Sequence, residues 1–306
     1  MGNSSSCRMV MLTLAVAVAG CGGPEAASEE DVAIRVSAQA APGQPTIGMS
    51  APVDQWDLRY GEVSPPGVDG RRLFADLGND QAKVNLAKQE LLAGRLPVLS
   101  VKIPNNDWAG AAAGKYDALY IDLANRLQAL PGKTVLVVHH EPIGDGSPAD
   151  FVAMQVHLMP LARPLSNVIV GVILNGFMWS AQAQGYTDAQ IDAWAPLRLR
   201  QAVEVLAADT YHGGTMTDPG EDAGVKIERM SAWADRMGYV KPLGIGEFNG
   251  LTAYAITHAC NAMFADSRFM FGNVFNSNEN NREGIEWVLT GARLTAFKNC
   301  VTASRQ

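Results

Sequence analysis

Cysteine is scarce in this chain, and positive charge is never concentrated. Four cysteines in 306 residues exclude a disulfide-rich miniature scaffold. Charged residues make up 18% of the chain and the formal net charge is -7. With no run of Lys or Arg, that balance argues against a nucleic-acid partner and leaves neutral polymers open. No G-x-G-x-x-G loop follows an early strand, so a dinucleotide-binding open sheet has no support. The small-residue stretch 110–114 (GAAAG) has no following Lys-Ser/Thr to cradle phosphate and reads as a loop. No internal repeat is evident. Apart from residues 9–19, no apolar run has the look of an export or membrane segment.

That one run is informative. Arg8 precedes it, and it ends in Val18-Ala19-Gly20-Cys21, similar to the lipobox of bacterial exported lipoproteins. Residues 1–20 are therefore expected to be a signal peptide, with Cys21 carrying the lipid anchor to a membrane facing the cell envelope or exterior. Ordinary signal cleavage beside a chance cysteine is the alternative. Residues 21–44, rich in Gly, Ala, Ser, Glu and Pro, read as a flexible tether. Of the remaining cysteines, Cys260 and Cys300 either form a disulfide between the last two helices or stay as two buried thiols.

Residues 45–303 read as a single domain. Apolar residues are 47% of the chain, enough for a sizeable core. Short apolar runs alternate with amphipathic stretches, the pattern of parallel strands joined by helices. Strands are expected over 46–49, 72–75, 98–102, 135–139, 168–174, 205–208, 243–246 and 269–275. Helices are expected over 80–93, 116–130, 149–161, 189–202, 222–237, 253–264 and 283–298. Proline and glycine break up 51–71, so the first helix is reduced or missing. Eight such units make a (β/α)8 TIM barrel.

In barrel enzymes the reacting groups sit at the C-terminal strand ends. The fourth apolar run (135–142, VLVVHHEP) ends in Glu141 and the seventh (242–249, PLGIGEFN) in Glu247. Two carboxyls facing each other across a barrel mouth can hydrolyse a glycosidic bond, one as proton donor and one as nucleophile, at roughly 5–5.5 Å apart in a retaining enzyme. Each alone also fits a strand-end carboxylate paired with a nearby cation. Trp56, Trp108 and Trp179 follow candidate strands one, three and five. Each is either a platform for a sugar ring or a buried packing residue. Asn175 and Asn276, after strands five and eight, either bond sugar hydroxyls or serve as caps and turns. Trp287 falls within the expected last helix and reads as core.

Across about 108–297 the chain resembles glycoside hydrolase family 26, the β-mannanase type. The pieces are Ala113-Gly-Lys-Tyr-Asp117, His140-Glu141, Asp209-Thr-Tyr-His212, Gly246-Glu-Phe-Asn249 and Phe275-Asn276. The resemblance implies a retaining β-glycosidase that needs no cofactor, with Glu141 as acid/base and Glu247 as nucleophile. It implies that His140 touches substrate beside the reactive carbon and that Tyr211 holds the nucleophile through its hydroxyl. Two features depart from the family. Val137 stands where many members have arginine, and 143–147 (IGDGS) lacks the aromatic residues that often follow the acid/base. Mannan specificity therefore does not carry over, and the partner is expected to be a β-linked polysaccharide or oligosaccharide of another or related kind, attacked internally. Two other readings stand beside this one. The first is a carbohydrate-binding lipoprotein without activity. The second is a metal-dependent barrel hydrolase using His139, His140, Glu141, His157 and His212. Against the metal site, adjacent His139 and His140 on a strand point to opposite faces.

Overall fold

The computed structural model describes residues 43–306 except 183 and 282. The signal segment, Cys21 and nearly all of the expected tether lie outside the described residues. Eight parallel strands close into a barrel in sequence order. They are β1 (Thr46–Ser50), β2 (Gly70–Asp76), β3 (Leu96–Lys102), β4 (Thr134–Val138), β5 (Val168–Asn175), β6 (Val205–Tyr211), β7 (Leu243–Asn249) and β8 (Phe269–Phe275). The helices around them are α1 (Trp56–Val63), α2 (Gln81–Leu92), α3 (Trp108–Ala112), α4 (Asp117–Gln128), α5 (Pro148–Ala162), α6 (Asp188–Trp194), α7 (Leu197–Ala202), α8 (Ala223–Arg236), α9 (Ala253–Phe264) and α10 (Gly291–Ala303). Among the described residues no helix is long and apolar enough to cross a membrane.

Both faces of the strands are covered, which is why they read as continuous apolar runs rather than alternating ones. All of β4 is buried. Val135 and Val137 join Val98, Ile173, Val205, Ala207 and Phe271 inside the barrel, while Leu136 and Val138 pack outward under the helices. The interior pairs large with small: a Cβ on Gly244 would lie 2.6 Å from the Phe271 ring.

The first helix is reduced, as expected, to the eight residues of α1, with no side-chain cap at Gln55. Three elements differ from the sequence expectation, each for a local reason. Residues 110–112 of the expected loop lie in the short helix α3, which Asp107 caps by accepting from Gly110 N–H at 3.0 Å. The expected helix over 189–202 is split into α6 and α7, because Pro196 has no N–H to donate and forces Ala195 out of helical geometry. The last helix starts at Gly291, eight residues later than expected. In the preceding loop, Leu289 N–H donates to Asn276 Oδ1 at 2.9 Å and Trp287 N–H donates to Asn281 Oδ1 at 3.0 Å. These side-chain bonds replace the helical ones and place Trp287 in a loop rather than in a helix. Cys260 on α9 and Cys300 on α10 are joined by a disulfide.

Candidate active site

The C-terminal strand ends surround a cleft of about 420 Å³ lined by Glu141, Glu247, His140, Tyr211, Phe74, Phe275 and Trp287, with Glu279 and Asn280 at its edge. Two backbone irregularities aim the glutamates into it. After β4, His139 and Glu141 both take the left-handed conformation, at φ 56° and 50°. Non-glycine residues avoid that region, and such strain persists only where surrounding bonds enforce it. Here His139 N–H donates to Val101 O at 2.8 Å and Glu141 N–H donates to Ile173 O at 3.0 Å, pinning the turn to the strands on either side. On β7 the register skips Gly246, since Ala208 pairs with Ile245 and Asp209 with Glu247. This bulge re-aims the following side chain. Gly246 is required there, because a Cβ would meet Asp209 Oδ1 at 2.2 Å.

The two carboxyls sit in different surroundings. Glu247 is buried, and both its oxygens accept hydrogen bonds, one from Ser50 Oγ and the other from the Tyr211 hydroxyl. Burial, reinforced by Glu247, pushes the Tyr211 phenol well above its ordinary range, so it keeps its proton and donates. Glu141 has no such donors among the described residues. Burial, and then the neighbouring Glu247, raise its carboxyl to about 7, against the partial opposition of Arg72 and Lys102. One carboxyl is gripped by two hydroxyl donors and the other is raised toward holding a proton, the kind of contrast in surroundings that separates the roles of two carboxyls.

His139 and His140 turn to opposite sides. His139 is buried, and its Nδ1 accepts from Trp108 Nε1 at 3.2 Å. Because indole nitrogen only donates, the imidazole proton is on Nε2, which donates to Asp145 Oδ2 at 2.8 Å. Its pKa is lowered by burial despite Asp145, in keeping with this neutral tautomer. His140 faces the cleft with its ring 5.1 Å from that of Phe74. Burial, aided by Arg72 and Lys102, lowers its pKa to about 2, so it presents a neutral imidazole to the cleft.

The tryptophans and asparagines singled out from the sequence lie elsewhere. Trp56 packs under the Arg71 guanidinium at 3.8 Å and stacks on Tyr60. Trp108 is buried against His139 and Phe151. Trp179 packs edge-on to Trp233 beside a separate cavity on the barrel flank. None of the three lines the cleft, because each follows its strand outward toward the helices. Asn175 Oδ1 accepts from Ile143 N–H at 2.9 Å, and Asn276 Oδ1 accepts from Leu289 N–H, so both hold loops. The cleft aromatics are instead Phe74, Phe275 and Trp287. Ser50, Arg72 and Asp209 also escaped the sequence reading as individual site residues. Ser50 closes the apolar run of β1, so the strand-end rule that found Glu141 reaches it too.

Arg72 is fully buried inside the barrel, 3.8 Å from Asp209. It supplies a cation beneath the glutamates from β2, where Val137 on β4 supplies none. His140, Glu141 and Asp209 bring ligand atoms within 4.8 Å of one another, a spacing that suits a metal ion. The adjacent guanidinium is a permanent positive charge that disfavours a second cation there.

No protein-family model matches the chain, and no curated protein does. Solved structures do. A modular endo-β-1,4-mannanase from Cellulomonas fimi, of glycoside hydrolase family 26, matches over 89% of this chain and 74% of its own, with TM-score 0.56 and 17% identity. The Thermotoga maritima endoglucanase Cel5A matches over 87% of this chain and 99% of its own, with TM-score 0.57 and 12% identity. Fungal β-1,4-galactanases match over 76% of this chain and 89% of their own, with TM-score 0.55 and 13% identity. These neighbours are (β/α)8-barrel glycoside hydrolases, and the likeness establishes that fold for this chain.

Proposed function

We propose that this protein is a retaining β-glycosidase that cleaves a β-linked polysaccharide internally. The observation that carries this reading is the contrast within one cleft: Glu247 held by two hydroxyl donors and Glu141 raised to about 7 beside it. In the first step Glu141 gives its proton to the glycosidic oxygen as Glu247 attacks the anomeric carbon. The C–O bond breaks and a glycosyl ester forms on Glu247. In the second, Glu141 takes a proton from water, whose oxygen displaces Glu247 and releases the sugar. Phe74, Phe275 and Trp287 offer apolar faces on which sugar rings stack. By their names the structural neighbours act on mannan, a glucan or galactan, which supports a β-linked polysaccharide as substrate. A lipid at Cys21 would hold the barrel on the membrane, facing outward.

The test is reducing-end release from a panel of β-linked polysaccharides. Release should survive chelation and disappear in Glu247→Ala. Glu141→Ala should slow natural glycans far more than aryl glycosides, whose leaving groups need no proton. Full activity in both variants would overturn the assignment. Loss on chelation, restored by a divalent ion, would favour the metal-dependent reading.

A further inference from the structure

We propose that His258 is a proton-operated latch: as an imidazolium it ties α9 to the first turn of α8, and loss of its proton frees that turn and the loop joining it to β6. The proposal stands on the packing of two helices and is independent of the glycosidase reading.

Carboxylates only accept hydrogen bonds, and a neutral imidazole has a single N–H to give. His258 meets a carboxylate at each ring nitrogen. Its Nδ1 lies 3.1 Å from Asp222 Oδ2, and its Nε2 lies 3.0 Å from Glu228 Oε1. Both contacts are hydrogen bonds only when both nitrogens carry protons, which makes the ring a cation. His212, at the end of β6, shows the opposite pattern. Its Nδ1 accepts from Leu251 N–H at 3.1 Å and its Nε2 donates to Gly220 O at 3.1 Å, as a neutral ring does.

The first turn of α8 is shaped to receive the ring. A Cβ on Gly224 would lie 2.4 Å from the imidazole Cγ of His258. Glycine is a poor helix former, and here it permits the close approach. Asp222 is also the N-cap of α8, accepting from Val225 N–H at 3.1 Å. One turn on, Lys226 Nζ donates to Tyr211 O at 2.6 Å, and Gly213 N–H donates to Glu221 O at 2.8 Å. The turn that His258 grips is thus the one that holds the loop after β6.

The charges facing the ring come from the α8 side. Helix α9 contains no Asp, Glu, Lys or Arg, so protonated His258 is its one charge, with the Tyr254 ring 5.6 Å away. Before α8, Glu221 turns away to accept from Ser180 Oγ and Ala181 N–H, while Lys226 is committed to Tyr211 O. Beneath α9, β8 has no ionisable residue and β7 has only Glu247, which lines the cleft. Helix α10 is bridged to Cys260, about 200° round α9 from His258. Burial opposes the charge on His258, but Asp222 and Glu228 outweigh it and raise the imidazole above its ordinary 6.5. The folded chain therefore holds this proton more tightly than the unfolded one. The latch is fully engaged below about 6.5 and is lost as pH rises through the higher folded value.

The test follows the imidazole resonances of the five histidines by NMR over about pH 5 to 9, on the full-length protein and its Glu228→Gln and His258→Gln variants. Amide exchange of Val225, Lys226 and Ile227 is measured beside it, variant against wild type at equal pH. His258 should titrate above 6.5 with both nitrogens protonated below its midpoint, and Glu228→Gln should lower that midpoint by roughly half a unit. Below the midpoint, His258→Gln should speed exchange of the three amides roughly fivefold, the scale of one ion pair, and well above it the two proteins should agree. A midpoint at or below 6.5 overturns the latch, as does a midpoint unmoved in Glu228→Gln or exchange that His258→Gln leaves unchanged at low pH. Should His258→Gln fail to fold, Glu228→Gln, altered at an exposed side chain, decides alone: its three amides should exchange faster than those of the wild type between the two midpoints, and equal exchange there overturns the proposal.

Discussion

The raised carboxyl of Glu141 has two consequences for pH that can be measured separately. In the proposed mechanism its carboxyl must be protonated for the first step, so kcat/KM should fall as pH rises through about 7. The same shift has a consequence for stability. An ordinary carboxyl in the unfolded chain titrates near ~4.3, well below Glu141 in the fold. The native state therefore binds the extra proton between those values, and stability drains away as pH rises from the lower to the higher. Glu141→Gln removes that penalty. Its melting temperature should exceed that of the wild type above pH 7, and the difference should close as pH falls toward 4. A constant difference across that range would show that the titration of Glu141 is not its source. At this scale the sequence is legible where a rule of position applies. Glu141 and Glu247 end apolar runs, and so are found. Trp56, Trp108 and Trp179 also sit near strand ends, but composition says nothing of which way a side chain turns once the strand is over. Arg72 lies mid-strand on β2 and looks like a surface residue until the barrel closes around it.

At the scale of elements, the disulfide between α9 and α10 closes a loop of 40 residues that contains all of β8 and the loop bearing Trp287. The chain-entropy model gives such a closure about 4 kcal/mol of stability. Replacing Cys260 and Cys300 together by alanine should lower the unfolding free energy by roughly 2–4 kcal/mol, read by denaturant titration, while leaving kcat on a soluble substrate nearly unchanged. A large fall in kcat at temperatures well below the melting point would instead mean that the bridge positions the β8 loop. The strands and most helices were readable because their apolar spacing and caps agree: Ser147 caps α5, Asp222 caps α8 and Thr252 caps α9. The late start of α10 was not, because it depends on Asn276 and Asn281 reaching forward across a loop, and no local pattern announces such bonds.

For the whole molecule, the proposed export signal and the barrel fit one account if the protein works outside the cytoplasm, and the proposed anchor has its own test. Cys21→Ala should move the protein from the membrane fraction to the soluble exported fraction, followed by fractionation and immunoblotting. Persistence in the membrane fraction would refute the lipid anchor. An oxidising exterior also suits the Cys260–Cys300 bridge, which reducing compartments do not favour.

The placement of Trp287 has a practical corollary. All six tryptophans fall among the described residues, and Trp287 is the one that borders the cleft, against Tyr211 with ring centres 5.4 Å apart. The other five are enclosed by the barrel and its helices. The molecule therefore carries its own optical reporter. A glycan settling over Trp287 should change the intrinsic fluorescence, Trp287→Phe should silence that change, and saccharide binding can be followed in the Glu247→Ala variant without any label.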